Sequence, residues 1–222
     1  MTLTALLWDL DGTLVDSEPA HGAAFDDALA ELGLAVAPDF HARMLGVNEA
    51  GVHEALVAET GATIGLAEWS ARKWAHYRRH AEDIRRREPV AAVAEDWAAR
   101  GMPCAVVSNS TADEVAIALA ATGLDAVLTT TVTFADVTRG KPDPEGYLLG
   151  ASRLGVAPAS CLVIEDSPVG AAAGRAAGMR VVYHPQTPAD DPATRAPGAH
   201  YLAPDGDLAA LVAHAMTTGD LP

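Results

Sequence analysis

The sequence has little positive charge. Lys and Arg total 15 of its 222 residues against 30 Asp and Glu, which gives a formal net charge of −15 and an isoelectric point near 4.7. A chain this acidic is a poor binder of nucleic acid or of anionic membranes, so we expect neither as a partner. A small anionic substrate is compatible with this charge, because a bound cation reverses the field locally.

Cysteine and long apolar runs are also scarce. Cys104 and Cys161 are the only two cysteines and do not form a metal-binding pair, which favours a reducing compartment and no disulfide framework. No apolar run approaches the ~18 residues of a membrane-spanning helix. Residues 1–12 lack the positively charged start of a signal peptide. We therefore expect a cytoplasmic protein.

Short apolar runs alternate with helical patterns along most of the chain. Hydrophobic residues make up 50% of it, enough for the core of one domain with a modest insertion. This alternation predicts a parallel sheet covered on both faces, so the expected fold class is α/β with a Rossmann-like parallel sheet. The predicted strands are residues 5–8, 104–107, 126–128, 161–164, 179–183 and 199–202. Two of the predicted helices are residues 111–122 and 144–154, the second with Asp143 as its N-cap.

One stretch interrupts the alternation directly after the first strand. Residues 17–87 show helical patterns at 19–32, 39–45, 49–59 and 67–87 and no convincing strand. We therefore expect two parts, a Rossmann-like catalytic core of residues 1–16 and 88–222 and an inserted all-α cap of residues 17–87. A surface loop is expected at residues 185–197, which are rich in Pro, Asp, Thr and Ala.

Polar side chains follow three of the predicted strands. Ligands of an open parallel sheet bind outside the carboxyl ends of its strands, so these side chains meet if the strands are neighbours. They are Asp9 and Asp11 after the first strand, Ser108 and Asn109 after the second, and Glu165 and Asp166 after the third, with Lys141 in a nearby loop.

This set of side chains suits phosphoryl transfer. Four carboxylates at one site do not all stay ionised without compensation, and oxygen ligands select a hard cation such as Mg²⁺. Phosphoryl transfer needs an in-line nucleophile, neutralisation of the phosphoryl oxygens and a proton donor for the leaving group. A carboxylate can attack phosphorus, and a second carboxyl two residues further on can carry the proton.

Four short motifs stand in the order and at the spacing of one family. They are Asp9-Leu10-Asp11-Gly12-Thr13, Ser108-Asn109, Lys141-Pro142-Asp143-Pro144 and Glu165-Asp166-Ser167, followed by an Ala- and Gly-rich run at residues 170–179. On these motifs the chain resembles the haloacid dehalogenase superfamily, in its phosphatase and phosphomutase branch. The resemblance covers nearly the whole chain.

The resemblance implies a role for each motif residue. Asp9 is the expected nucleophile, and Asp11 the general acid and then base, with its backbone carbonyl on Mg²⁺. Lys141 is expected to pair with the nucleophile and the phosphoryl oxygens. Haloacid dehalogenases themselves lack the second carboxylate, so Asp11 argues against carbon–halogen chemistry. The phosphoryl group is expected on Thr13, Ser108 and Asn109, and the metal on Asp9, Asp11, Asp166 and, through water, Glu165.

The helical insertion then corresponds to a cap that closes over the sheet edge. His21, Gly46 and Lys73 are its candidate substrate contacts. For His21, an exposed hinge histidine is an equal alternative. Lys73 lies between Trp69 and Tyr77 at four-residue intervals, and an aromatic stripe of this kind also suits a helical core.

The expected function is a Mg²⁺-dependent phosphatase acting on a small phosphorylated metabolite, with a sugar or polyol phosphate favoured. Phosphoglycolate and nucleoside monophosphates remain open as substrates. One alternative is a β-phosphoglucomutase, although Leu45 and Glu49 stand where the resemblance places its cap lysine and arginine. A catalytically silent binding protein of the same fold is a second alternative. We expect a monomer or weak dimer.

Overall fold

The computed structural model describes residues 2–44, 47, 49–189 and 195–222. The chain forms two compact units. The sheet unit is Met1–Asp16 with Arg85–Pro222, and the helical unit is Ser17–Ile84. Gly46, a predicted cap contact, lies outside the described residues, as do Leu45 and part of the predicted surface loop.

The sheet unit is built on a six-stranded parallel sheet, which confirms the predicted α/β class. Its strands are β1 (Ala5–Trp8), β4 (Cys104–Val107), β5 (Thr131–Val132), β6 (Cys161–Glu165), β7 (Arg180–Tyr183) and β8 (His200–Tyr201). Their order across the sheet is β5-β4-β1-β6-β7-β8. Strands β2 (Val15–Asp16) and β3 (Arg85–Arg86) form a separate antiparallel ribbon. The central strands β1 and β6 are buried at every position, because helices cover both faces of the sheet.

Among the described residues of the sheet unit, five α-helices alternate with the strands. They are α5 (Val90–Ala99), α6 (Ala112–Thr122), α7 (Glu145–Leu154), α8 (Pro168–Ala176) and α9 (Leu208–Thr218). Helix α6 begins with a capping box in which Thr111 and Glu114 exchange side-chain and backbone hydrogen bonds, and it ends at Gly123 with φ 71°. Ser167 caps α8 by accepting a hydrogen bond from the Gly170 N–H.

Two predictions in the sheet unit are wrong in detail. Residues 126–128 do not form a strand, because Leu124–Ala126 is a 3-10 helix and the Leu128 N–H donates back to Leu124. The strand beside β4 is Thr131–Val132 instead, where β-branched side chains suit an edge position. Helix α7 starts at Glu145, one residue after its predicted start, and its N-cap is Pro144 instead of Asp143. The Asp143 carboxylate accepts a hydrogen bond from the Glu145 N–H at 3.1 Å.

The helical unit contains α1 (Glu18–Leu32), α2 (Phe40–Met44), α3 (Glu49–Thr60), α4 (Leu66–Tyr77) and a 3-10 helix at Arg78–Asp83. Phe25 stacks on Phe40 and meets Trp69 edge-on, with ring centroids 5.4 and 5.3 Å apart, and Leu56 completes this buried core. No described helix in either unit is long and apolar enough to cross a membrane.

The predicted helix at residues 67–87 ends too late. Helix α4 stops at Tyr77, and Arg85–Arg86 pairs with Val15–Asp16 as β3. The strand pairing assigns residues 85–87 to the sheet unit, whereas the sequence pattern placed them in the cap. Strands that pair across about 70 residues of sequence cannot be recognised from local periodicity.

Candidate active site

The three strands that end in polar residues are neighbours at the centre of the sheet, in the order β4-β1-β6. Because parallel strands present their carboxyl ends at one edge, the residues that follow them are brought together there. The Asp9 N–H donates to Ile164 at 3.0 Å, and the Ser108 N–H donates to Val132 at 2.9 Å, so backbone pairing holds both positions at the ends of their strands.

Lys141 joins two of these carboxylates. Its Nζ atom lies 2.6 Å from Asp9 Oδ1 and 2.7 Å from Glu165 Oε1. The exposed fractions of the three side chains are 6% for Lys141, 10% for Asp9 and 0% for Glu165. Burial opposes the charge on Lys141, but Asp9 and Glu165 outweigh it and raise the pKa of this ammonium above its ordinary value. The two carboxylates therefore favour the charged form of this lysine at the strand ends.

Glu165 is held by more than the lysine. Its Oε1 also accepts from the buried Tyr147 hydroxyl at 3.0 Å, and its Oε2 accepts from the Ser167 N–H at 3.0 Å and hydroxyl at 2.9 Å. A Cβ atom on Gly170 would stand 1.5 Å from Oε1, so only glycine permits the first turn of α8 to pack against this carboxylate. Glu165 thus has two partners on each oxygen and a fixed orientation.

Asp11 faces a different neighbour. Its Oδ2 accepts from the Ser110 hydroxyl at 2.8 Å and from the Ser108 hydroxyl at 3.3 Å. The Asp11 carboxylate therefore lies against the segment that follows β4. Ser110 was not anticipated from the sequence, although its place two residues after Ser108 marked it as a neighbour.

Asn109 contacts the backbone of the lysine loop. Its Oδ1 accepts from the Lys141 N–H at 2.8 Å, and its Nδ2 donates to the Lys141 carbonyl at 3.3 Å. A Cβ atom on Gly140 would lie 2.7 Å from Asn109 Oδ1, so the preceding glycine allows this close approach. The phosphate contact predicted for Asn109 stays a prediction, and what the structure shows is a side chain that fixes the loop carrying Lys141.

Three carboxylates form a group that could hold a metal ion. Asp9, Glu165 and Asp166 each present an oxygen, and these atoms lie within 4.8 Å of one another. Burial and then the charge of Glu165 raise the pKa of Asp166 to about 7 and raise the pKa of Asp9 well above its usual range. Lys141, which contacts Asp9 and Glu165, does not by itself balance the three carboxylates, so a metal cation fits here. The donors are all oxygen, as Mg²⁺ requires.

The turn after β1 packs directly on Asp166. Gly12 has φ +83°, and a Cβ atom there would lie 2.1 Å from Asp166 Oδ2. The Thr13 hydroxyl donates to Asp166 Oδ1 at 3.3 Å. Thr13, a predicted phosphate contact, therefore lies beside the carboxylate group.

Sequence analysis missed two further residues of this site, Tyr147 and Arg87. Tyr147 was part of the apolar face of a predicted helix, and nothing in that pattern signalled its inward hydroxyl. Arg87 donates from Nη1 to the Gly12 carbonyl and, at 3.5 Å, to the Thr13 carbonyl. It belonged to a run of charged residues predicted as helix, which gave no signal of this contact.

The candidate contacts of the helical unit lie in an aromatic cluster. The His21 ring stacks on Tyr77 with a centroid distance of 4.5 Å and meets Trp74 edge-on at 6.2 Å. Lys73 Nζ lies 5.4 Å from the centroid of the Trp74 ring. Trp69 is instead fully buried in the helical core, so the predicted aromatic stripe divides between core and cluster.

Comparison with known proteins extends these observations. The sequence model of the haloacid dehalogenase-like hydrolases matches residues 3–178. Hexitol phosphatase A of Escherichia coli (strain K12) is 34% identical over 199 residues, which cover 86% of this chain and 87% of that protein. A fructose-1-phosphate phosphatase of the same strain is 31% identical over 177 residues, covering 80% and 94%. A solved structure from Thermotoga maritima, provisionally named a β-phosphoglucomutase, has a TM-score of 0.80 and 26% identity and covers 96% of this chain and 99% of that one.

Proposed function

The chain belongs to the haloacid dehalogenase-like hydrolases and is a phosphoric monoester hydrolase, and from this premise we propose that it dephosphorylates a small sugar or polyol phosphate in a Mg²⁺-dependent reaction with Asp9 as the nucleophile. The observation that carries the proposal is the buried ion-paired group of Asp9, Lys141 and Glu165 beside Asp166. The arrangement supplies a carboxylate oriented by a cation, next to a site with oxygen ligands.

The substrate class is inferred from the relatives. Two proteins that this chain matches over at least four-fifths of its length are named for the phosphates of a hexitol and of fructose. Both substrates are small and rich in hydroxyl groups and carry one phosphate ester. We therefore expect a six-carbon polyol or sugar monophosphate to be the best substrate.

The reaction divides into two transfers. In the first, an Asp9 oxygen forms a bond to phosphorus as the ester P–O bond breaks, and Asp11 gives its proton to the departing alcohol oxygen. In the second, Asp11 takes a proton from water, the water oxygen bonds to phosphorus, and the Asp9–phosphorus bond breaks. Inorganic phosphate leaves and Asp9 is regenerated.

The remaining residues hold charge and geometry. Lys141 keeps Asp9 in place and offsets charge on the phosphoryl oxygens, and Glu165 keeps Lys141 in place. Asp9, Asp166 and the Asp11 carbonyl would hold Mg²⁺, which when bound neutralises the phosphoryl charge. Glu165 has its oxygens occupied by protein donors, so it suits an indirect role. Ser108 and Thr13 would donate hydrogen bonds to the phosphoryl group.

The test is release of phosphate from a panel of phosphorylated metabolites. We expect sugar and polyol monophosphates to be hydrolysed fastest, EDTA to abolish activity, Mg²⁺ to restore it and Ca²⁺ to inhibit it. Calcium takes more ligands at longer distances and so competes for the carboxylate that must attack. Full activity in EDTA, with metal analysis showing no bound metal, would contradict the metal dependence.

A phosphosugar mutase is the second candidate, because a structure provisionally named for that activity has a TM-score of 0.80. The distinguishing assay supplies β-glucose 1-phosphate, Mg²⁺ and a trace of glucose 1,6-bisphosphate. We expect free phosphate to form faster than glucose 6-phosphate. The opposite order would replace the phosphatase proposal with the mutase.

A further inference from the structure

Arg87 binds three consecutive carbonyls of the turn after β1. Its backbone N–H donates to Leu14 at 2.9 Å, and its guanidinium Nη1 donates to the Gly12 carbonyl and, at 3.5 Å, to the Thr13 carbonyl. The chain has just returned from the helical unit through β3, which pairs with Val15–Asp16. Arg87, in the segment that returns from the helical unit, therefore fixes the carbonyl groups of this turn.

The N–H groups of the same turn are bound from the opposite direction. The Thr13, Leu14 and Val15 N–H groups all donate to the Leu10 carbonyl, at 3.2, 2.9 and 3.1 Å. The turn is thus fixed by Leu10 within its own segment and by Arg87 from a segment about 70 residues later. Removing the guanidinium takes away the bonds to the Gly12 and Thr13 carbonyls and leaves those to the Leu10 carbonyl and from the Arg87 backbone N–H.

This turn carries residues to which we assign chemistry. It begins directly after Asp11, its Gly12 backbone packs on Asp166, and the Thr13 hydroxyl donates to Asp166. The proposed acid–base carboxyl and one phosphate contact therefore depend on where the turn lies. A displacement of about 1 Å in groups that must meet a reacting phosphoryl costs on the order of a hundredfold in rate.

The surroundings also require an arginine. The half-buried guanidinium is in the field of Asp166, Asp16 and Asp9, and these charges oppose the fall in its pKa that burial causes. One guanidinium nitrogen, Nη1, contacts both carbonyls, and the planar group holds it there more rigidly than the flexible stem of a lysine would hold an ammonium. The residue is thus both a donor to the turn and a second protein cation near the carboxylate group.

We propose that Arg87 is a positioning residue for phosphoryl transfer, which holds the Gly12–Leu14 turn so that Asp11 and Thr13 face the site. The proposal rests on the proposed phosphatase function. It also connects the segment that returns from the helical unit to the proposed catalytic turn through named hydrogen bonds.

Arg86 provides a matched control in the neighbouring position. Its guanidinium donates to Glu95 at 2.5 and 2.8 Å, to Glu88 at 2.8 Å and to the Thr122 carbonyl at 3.3 Å. All these partners lie in the sheet unit away from the turn after β1. Arg86→Met removes an arginine of the same segment and charge without removing a donor to that turn.

The experiment compares Arg87→Met, Arg87→Lys and Arg86→Met in the full chain. The substrates are p-nitrophenyl phosphate and the best sugar phosphate. We expect kcat to fall about a hundredfold in Arg87→Met and about tenfold in Arg87→Lys, with KM changed less than about threefold. Arg86→Met should keep the wild-type kcat at temperatures well below its Tm.

Two further measurements distinguish a loss of positioning in the turn from a general loss of stability or folding. Inhibition by orthovanadate, which mimics the five-coordinate transition state, should weaken in Arg87→Met by about the factor lost in kcat, while inhibition by inorganic phosphate stays within about threefold. Hydrogen exchange of the peptide covering residues 10–16 should accelerate in both Arg87 variants and not in Arg86→Met.

The outcomes distinguish failure of the proposed phosphatase function from failure of the proposed role of Arg87. A wild-type protein with no activity on any phosphate ester refutes the proposed function. An active wild type with equally active Arg87 variants refutes this inference alone, as does equal loss of kcat in Arg86→Met. Unchanged hydrogen exchange in the turn also overturns it. If Arg87→Met does not fold, Arg87→Lys carries the same three measurements.

Discussion

The buried group of Asp9, Lys141 and Glu165 in the sheet unit contrasts with the exposed ion pairs of the helical unit. In the sheet unit, Lys141 bridges Asp9 and Glu165 with side chains that are 0–10% exposed. In the helical unit, Arg72 bridges Glu31 and Glu68 with side chains that are 35–58% exposed. Exposed pairs contribute about 0–1 kcal/mol, whereas losing one partner of a buried pair leaves an uncompensated charge and costs about 3–5 kcal/mol. The same type of contact thus has different consequences in the two units.

The pKa shifts run in opposite directions as well. Burial raises the pKa of Asp9 and, to about 7, that of Asp166. In the helical unit a hydrogen bond from His76 lowers the pKa of Glu31, and one from His80 lowers that of Asp27. Asp9 and Asp166 at the strand ends thus lie where ionisation is costly, as is common at reactive sites, whereas Glu31 and Asp27 of the helical unit lie where ionisation is favoured.

The largest effect is expected from Asp9→Asn in the sheet unit. The amide is too poor a nucleophile to attack phosphorus, so turnover should fall at least about a thousandfold. The fold should persist, because Lys141 keeps Glu165 as its buried partner and the substitution removes a charge that burial makes unfavourable. Steady-state kinetics and Tm measure the two effects.

The control for Asp9→Asn is Asp143→Asn, which alters a carboxyl beside Arg139 and the start of α7. Its activity should stay near that of the wild type. More than a few per cent of activity in Asp9→Asn, in a preparation shown by mass spectrometry to be free of deamidated protein, would remove Asp9 from the nucleophile's role.

A moderate effect is expected from Tyr147→Phe. The change keeps the ring next to Lys141 and deletes the hydroxyl that donates to Glu165 Oε1. We expect the free energy of unfolding to fall by about 1–2 kcal/mol and kcat to fall severalfold, since Glu165 then holds Lys141 less firmly. Urea denaturation and steady-state kinetics measure both quantities.

Tyr201→Phe is the matched control, since its hydroxyl bonds to the Ala189 N–H at the edge strand β8. It should cost some stability and leave kcat unchanged. Equal loss of kcat in both variants would show that the effect of Tyr147→Phe does not act through Glu165 and Lys141.

Much of the sheet unit could be predicted because its determinants are local. Apolar runs ending in Asp9, Ser108 and Glu165 predict strands, and the parallel arrangement brings those ends to one edge. The structure accordingly brings Asp9, Lys141 and Glu165 into direct contact. The class of sheet places all the carboxyl ends at one edge, and the order β4-β1-β6, which the sequence left open, makes these three ends neighbours.

What escaped prediction depends on pairing across the chain. Arg85 and Arg86 follow a helical pattern, but their partners Val15 and Asp16 lie about 70 residues earlier. The contact of Arg87 with the turn after β1 follows from that pairing. In the helical unit, periodicity located the helices but did not show which of its many charged residues pair, because exposed pairs leave no apolar pattern.

A smaller effect, confined to one substrate, is expected from Lys73→Ala in the helical unit. If Lys73 contacts the sugar or polyol part of the substrate, KM for the natural substrate should rise about tenfold, equivalent to about 1.4 kcal/mol. Activity on p-nitrophenyl phosphate should change little, because that substrate lacks the polyol. Lys73→Arg, which keeps a cation near Trp74, should recover part of the loss. Equal losses on both substrates would place Lys73 in the chemistry or the fold.

The smallest effect, and one that depends on pH, is expected from Asp27→Asn. Its Oδ2 lies 2.9 Å from His80 Nε2, and this hydrogen bond raises the pKa of His80 and lowers that of Asp27. The stability from His80 is fully present below the ordinary histidine pKa near 6.5 and is lost as pH rises through the raised value. The stability from Asp27 is present above the ordinary aspartate pKa near 4 and is lost in stronger acid.

The pair therefore stabilises the helical unit most between about pH 4.5 and 6. Asp27→Asn should lower Tm more at pH 5.5 than at pH 8.5, which lies above the ordinary histidine pKa. His76 Nδ1 lies 3.3 Å from the same oxygen. Asp205→Asn, at an exposed carboxyl of the sheet unit, controls for removing one negative charge from a chain of net charge −15. An equal fall in Tm at both pH values would assign the role of Asp27 to packing and would remove proton-linked pairing from the contrast between the two units.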